Sequence, residues 1–210
     1  MRLTVFGATG GVGGEIVRQA LDAGHEVTAV VRDPARLTAT GERLHVVEAD
    51  LSDPEALRAA VAGRDAVLSG LGARSRRAAG VTARLTRAVL AAMAAEDVRR
   101  LVIVSAAPVG PAAEDDGPLD RALRSVVSAV LKDVYADLRE TEAELARSTA
   151  EWTSVRPPRL LDRPLTGRYR TVVGGFPRAG RAIGRADVAH AMLAAVGDPA
   201  TVRQGVGVAY

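Results

Sequence analysis

The feature that most constrains this chain is the run Gly7-Ala8-Thr9-Gly10-Gly11-Val12-Gly13, which directly follows a short apolar segment and opens a helical pattern. Glycines here permit a tight turn and let backbone approach a diphosphate, while the helix start offers free N–H groups and positive dipole potential. A strand, a glycine turn and a helix in this order predict a nucleotide-binding unit in which Gly7, Thr9, Gly10, Gly11 and Val12 face the phosphates. The competing reading is that the glycines only make a well-packed turn.

The rest of the chain repeats the rhythm that such a unit requires. Segments 3–6, 27–31, 44–47, 66–69, 101–104 and 153–155 are short and rich in Val, Leu and Ile, and predict strands. Helical patterns lie at 15–23, 54–61 and 81–95; in the last, Leu85, Val89 and Met93 are spaced to share one face. Asp53 followed by Pro54 is a helix start, with a capping carboxylate and a proline whose missing N–H costs nothing. Strands alternating with helices imply crossover connections. The expected fold class is therefore α/β, a single Rossmann-type doubly wound parallel sheet over residues 1–210. Beyond the fifth strand a loop is expected at 108–118 and helices at 119–131 and 133–148. Residues 157–184 read as loop and hairpin, with a strand at 169–173, and 187–196 as a last helix. These make a small C-terminal segment on the substrate side of the sheet.

Composition removes several alternatives. A chain of 210 residues with 48% hydrophobic content suits one core of this kind, and no linker or internal repeat divides it. With no cysteine, disulfides and thiolate chemistry are excluded. The first strand starts next to Met1 and no apolar run reaches membrane-span length, so a soluble, cytoplasmic protein is expected. The net charge of +3 comes from arginines scattered along a chain with a single lysine, and aromatic residues are only 3%. That pattern disfavours nucleic acid as a partner. His25, His45 and His190 are far apart in the pattern, and no metal site is suggested.

Arg32 ends the second strand, where an NAD-specific site would carry an acid for the ribose hydroxyls, and Arg36 follows one turn later. Two guanidiniums there suit a 2′-phosphate and favour NADP(H) as cofactor. Alternatively, Arg32 stacks on adenine while Asp33 takes the ribose, or both arginines are simply solvated. Asp50 and Leu51 follow the third strand and are expected near the adenine, Asp50 being equally suited to cap a loop. Leu71, Gly72, Ala73 and Arg74 follow the fourth strand, where backbone runs close to the cofactor ribose. Ser105 ends the fifth strand and is expected to contact both cofactor and substrate. In the short-chain dehydrogenases that this pattern resembles, a serine there works with a proton-donating tyrosine and a lysine four residues on; Tyr135, with Arg139 in the lysine's place, is the tyrosine that the resemblance offers, or else it packs.

Three further runs carry a family resemblance: Trp152-Thr153-Ser154-Val155-Arg156-Pro157-Pro158-Arg159-Leu160, Pro164-Leu165-Thr166-Gly167-Arg168-Tyr169, and Ile183-Gly184-Arg185-Ala186-Asp187-Val188-Ala189. Together with the glycine turn, Val31-Arg32-Asp33 and 71–74, they resemble the atypical short-chain dehydrogenases of the NAD(P)H-binding, NmrA-like group, particularly the biliverdin reductase B or flavin reductase type. The resemblance spans nearly the whole chain. It implies a monomer that binds NADPH along the strand ends, with a broad site over the nicotinamide for a planar tetrapyrrole, flavin or quinone-like ring. Two departures matter. Arg159 stands where that type carries a histidine after the paired prolines, and the helix before Trp152 lacks histidines, which argues against biliverdin itself. The serine position is also open by one residue, between Ser105 and Ala106.

On this reading Arg156, Pro157 and Pro158 line the nicotinamide, the prolines as a rigid wall, and Arg159 or Arg168 contacts an anionic group of the substrate. Asp187 is expected to cap its own helix. The expected function is reduction of a flat conjugated small molecule by NADPH, with the cofactor supplying the chemistry. Two other classes remain: an epimerase, isomerase or dehydratase that retains its nucleotide, and a non-catalytic NADP(H)-sensing regulator.

Overall fold

The computed structural model describes residues 1–72, 80–110 and 131–210. It places the chain around one eight-stranded sheet in the order β3-β2-β1-β4-β5-β6-β10-β8. The strands are β1 (Arg2–Phe6), β2 (Glu26–Val31), β3 (Leu44–Glu48), β4 (Ala66–Ser69), β5 (Arg100–Val104), β6 (Glu151–Arg156), β8 (Arg170–Val173) and β10 (Gln204–Ala209). All neighbours run parallel except β10 and β8. The order 3-2-1-4-5-6 is that of the doubly wound dinucleotide-binding sheet, here extended by β10 and β8. A separate parallel pair joins β7 (Arg159–Leu161) to β9 (Ala182–Gly184).

Alternation along the buried strands sends side chains to two cores. Leu3 and Val5 of β1 pack with Ile16, Val17 and Ala20 of α1 (Gly11–Asp22) and with Val188 and Met192 of α5 (Arg185–Val196). Phe6, Leu101 and Ile103 point the other way. They meet Leu57 and Val61 of α2 (Pro54–Val61), Val89 and Met93 of α3 (Val81–Ala95), and Leu145 of α4 (Lys132–Arg147). Both faces of the sheet are therefore covered, as parallel strands require.

Two long-range polar contacts fix the helices. α3 begins after Gly80, whose φ is +76° and which offers no side chain for a cap. Asp137 of α4 supplies it, its carboxylate accepting from the N–H groups of Thr82 at 3.0 Å and Ala83 at 2.9 Å. At the other end of the sheet, buried Arg100 donates to the Val196 carbonyl at 3.0 Å and also to that of Ala195, closing the C-terminus of α5 with a cation.

The structure departs from sequence expectation at several points. α1 starts at Gly11, four residues earlier than the apolar pattern, because the glycines are part of its first turn. Tyr169 lies outside β8, which is no hairpin partner of its chain neighbour and pairs antiparallel with β10 instead. The strands β7, β9 and β10 were not expected. In β10, Gly205 and Gly207 hide a central strand from a propensity reading, and close approach explains them. A Cβ on Gly205 would lie 2.2 Å from the Arg156 guanidinium, and one on Gly207 2.4 Å from the Gly175 carbonyl oxygen. The expected helix 119–131 and most of the loop 108–118 fall on 111–130, outside the described residues. No described helix is long and apolar enough to cross a membrane.

Candidate functional site

The β1–α1 turn is built from three glycines packed backbone to backbone. Gly7 has φ +73°, and a Cβ there would lie 2.7 Å from the Gly70 carbonyl carbon. A Cβ on Gly13 would lie 2.1 Å from the Gly7 carbonyl oxygen, and one on Gly70 2.8 Å from the Gly13 Cα. These positions hold β1, α1 and the end of β4 together. Gly10 differs. It is the N-cap of α1, and its Cβ would meet only the Gly7 carbonyl oxygen, at 3.2 Å. The first turn of α1 carries neither a capping side chain nor an acid, so its N–H groups are served by no side-chain acceptor of their own helix. Thr9 and Gly10 are half-buried, Gly11 is exposed, and Val12 is buried in the α1 core.

At the end of β2, Arg32 and Arg36 are both exposed beside this turn. Between them Asp33 accepts from the Ala35 N–H at 3.1 Å and caps the 3-10 turn Pro34–Arg36. Asp50 likewise serves its own loop, accepting from the Ser52 N–H at 2.9 Å and hydroxyl at 2.8 Å. Those two bonds, with the charges of Arg84 and Arg32, hold its carboxyl below the usual range. Arg84, on α3, is a third cation near this strand end, and its sequence context gave no sign of it. Leu51 and Leu71 are core residues of the α2–α3 face, so only their backbone is available to a ligand. Gly72 is exposed and a Cβ on it would meet nothing within 4 Å. Ala73 and Arg74 lie outside the described residues.

The ends of β5 and β6 are laced together. Ser105 N–H donates to the Val155 carbonyl at 2.7 Å, and Ala107 N–H to that of Pro157 at 2.8 Å. Pro157 is buried, Pro158 half-buried, and Arg159 and Arg168 exposed. Arg156 is not a free cation at the site. Its guanidinium donates Nε to Glu142 of α4 at 3.0 Å, and Ser154 Oγ donates to the same carboxylate at 2.7 Å. Both charged side chains are 13% exposed. Burial pushes the Glu142 carboxyl up, but the bonds from Arg156 and Ser154 outweigh it and leave it below the ordinary value. The Ser105 hydroxyl beside it adds to that effect, although its buried Oγ makes no hydrogen bond of ordinary geometry. Ser105 and Tyr135 are thus not joined. Tyr135 is buried in α4, whereas Arg139, one turn on, is exposed.

The C-terminal segment is tied to α5 by Asp187, which does not cap its own helix. Its carboxylate accepts from the N–H groups of Thr166 and Gly167, at 3.0 and 2.8 Å, and from the Tyr210 hydroxyl at 2.6 Å. Burial opposes ionisation, yet these donors hold it low. Tyr169 meets His190 Nδ1 through its hydroxyl at 2.6 Å, and burial, reinforced by the Asp187 charge, pushes its phenol to about 12.

The strand order, the turn and the bare helix start define a Rossmann-type dinucleotide site. The chain matches the NAD(P)H-binding family over residues 7–199, and it belongs to that family. It is 32% identical over 207 residues to the (4-alkanoyl-5-oxo-2,5-dihydrofuran-3-yl)methyl phosphate reductase of Streptomyces griseus, covering 92% of this chain and 62% of that protein. The chain spans less than two thirds of the length of the curated relatives it matches. Among solved structures, a candidate epimerase of Bacteroides thetaiotaomicron superposes with a TM-score of 0.82 at 25% identity, over 100% of this chain and 96% of that one. A candidate NADH-flavin reductase of Streptococcus pneumoniae superposes at 0.78 with 21% identity, over 100% and 99%, a likeness of fold.

Proposed function

We propose that the chain is an NADPH-dependent reductase that delivers hydride to a planar, conjugated small molecule. The observation that carries the reading is the start of α1, which has neither a capping side chain nor an acid in its first turn, with Arg32 and Arg36 exposed at the neighbouring strand end. The residues fit a phosphorylated dinucleotide: amides of α1 for the diphosphate, two guanidiniums for a 2′-phosphate, and the Leu71–Gly72 backbone beside the ribose.

The bound nicotinamide supplies hydride when reduced. The chain holds the acceptor over it, with Pro157 and Pro158 as a wall, Ser105 as the hydroxyl at the strand end, and Arg159 or Arg168 for an anionic substituent. Hydride adds to the conjugated ring, charge spreads over it, and a proton from water completes the reduction, so no side-chain acid is required. The relative from Streptomyces griseus supports this choice, since its name describes reduction of an unsaturated ring bearing carbonyl groups. The test is NADPH consumption by the purified chain with a panel of flavins, quinones and cyclic enones. Steady turnover with at least one ring supports the proposal. Tight NADPH binding with no acceptor turned over would favour the epimerase class or a sensor.

A further inference from the structure

Arg185 opens α5, and its side chain lies across the bare Cα of Gly11, the first residue of α1. A Cβ on Gly11 would come within 2.6 Å of Arg185 Cδ and 2.9 Å of its Nε. The guanidinium donates to Asp162, a carboxylate that is 90% exposed. The N-termini of α1 and α5 both present positive dipole ends, and α1 has no acid in its first turn. The acid in the first turn of α5, Asp187, is committed to Thr166, Gly167 and Tyr210. The guanidinium is thus tethered beside the start of α1 by a single, largely exposed carboxylate, within reach of an anion gathered at that helix start.

We infer that Arg185 is a diphosphate-binding residue of the nucleotide site, and that Asp162 is the internal anion that occupies its guanidinium in the free protein. The inference rests on the dinucleotide reading above. Gly11 then has a role distinct from that of the other glycines: it leaves room for a cation from α5 to reach the phosphates gathered at the start of α1. Binding exchanges one carboxylate contact, to a solvent-exposed partner, for charge-assisted bonds to two phosphates, bracketed by helix amides on the other side. The arrangement separates two tasks. Arg32 and Arg36 read the 2′-phosphate, whereas Arg185 reads what NADPH, NADH and ADP-ribose share.

Calorimetric titration with NADPH, NADH and ADP-ribose tests this. Arg185→Ala should weaken all three alike, by about 10- to 100-fold, leaving the NADPH to NADH ratio unchanged. The free protein should melt within a few degrees of the unmodified chain, because the ion pair lost is to a largely exposed carboxylate. Asp162→Asn, which keeps Arg185 and removes its competitor, should tighten ADP-ribose binding by a few-fold, and it keeps the test open if the alanine variant folds poorly. Unchanged ADP-ribose affinity in Arg185→Ala, a change confined to NADPH, or weaker binding in Asp162→Asn would each overturn the assignment. A wild-type protein that binds none of the three would overturn the dinucleotide reading and this one with it; wild-type binding with unaltered variants would overturn this one alone.

Discussion

Replacing Gly10 and Gly13 separately by alanine should divide ligand recognition from stability within one turn. At Gly13 the new Cβ would sit 2.1 Å from the Gly7 carbonyl oxygen and 2.6 Å from its carbon, both backbone atoms. Relief requires α1 to recede by about 1 Å from a turn that is pinned on its far side by Gly70, while Ile16, Val17 and Ala20 stay fully packed. Overpacking of this kind costs about 2–3 kcal/mol, and in a chain of this size that is a fall in melting temperature of roughly 4–12 °C. At Gly10 the backbone is extended, with φ −98°, and the single neighbour at 3.2 Å, the Gly7 carbonyl oxygen, must give by a few tenths of an ångström. Its stability should fall by about 1 kcal/mol or less, the difference between alanine and glycine at an N-cap. Affinity for NADPH should drop at least about tenfold, since a methyl group would stand where the diphosphate approaches the backbone. Thermal melts paired with calorimetric titration distinguish the two. Unimpaired NADPH binding in a folded Gly10→Ala protein would refute the ligand role of the turn, and an unshifted melt for Gly13→Ala would refute the packing argument.

Three other outcomes are expected. The unmodified protein should bind NADPH at least about tenfold tighter than NADH, worth about 1.4 kcal/mol, and Arg32→Ala should remove most of that preference; equal affinities by calorimetry would exclude the 2′-phosphate role. Tyr135→Phe should lose less than about tenfold in turnover of a conjugated acceptor, against the hundredfold or more expected of a general acid. Glu142 is held below its ordinary pKa, so its contribution is present above roughly pH 4.3, the unfolded value, and is lost as pH falls through its lower folded value. Glu142→Gln should therefore cost about 3 kcal/mol at neutral pH in urea unfolding and flatten the acid side of the stability profile; parallel acid slopes in the two proteins would contradict the pairing with Arg156.

What the sequence disclosed follows from range. The βαβ rhythm through β5 was legible because alternation, apolar stripes and the Asp53–Pro54 start are local signals, and the glycine turn carries its own spacing. β10 was not, since Gly205 and Gly207 answer to Arg156 and to the 175–176 backbone, contacts made across the sheet. Three side chains changed meaning for the same reason. Arg156 stands beside the expected prolines but is paired to Glu142, fourteen residues upstream on a helix. Asp187, expected as a cap, lies inside the first turn of α5 and gathers the 166–167 loop and Tyr210. Arg185, embedded in an apolar motif, reaches a helix start more than 170 residues away in the chain. Asp50 illustrates the opposite case, for its alternative as a loop cap was readable from Ser52 two positions on.

The account rests on direct hydride delivery from NADPH to a conjugated ring, and isotope transfer tests that most directly. NADPH carrying deuterium at the transferable nicotinamide position would be incubated with stoichiometric protein and an acceptor reduced at carbon, such as a cyclic enone, and the product examined by mass spectrometry. The account predicts a product that has gained one deuterium for each NADP formed, with its second hydrogen drawn from water. Recovery of NADPH with its label intact, in a protein that binds it tightly, would contradict the reductase assignment.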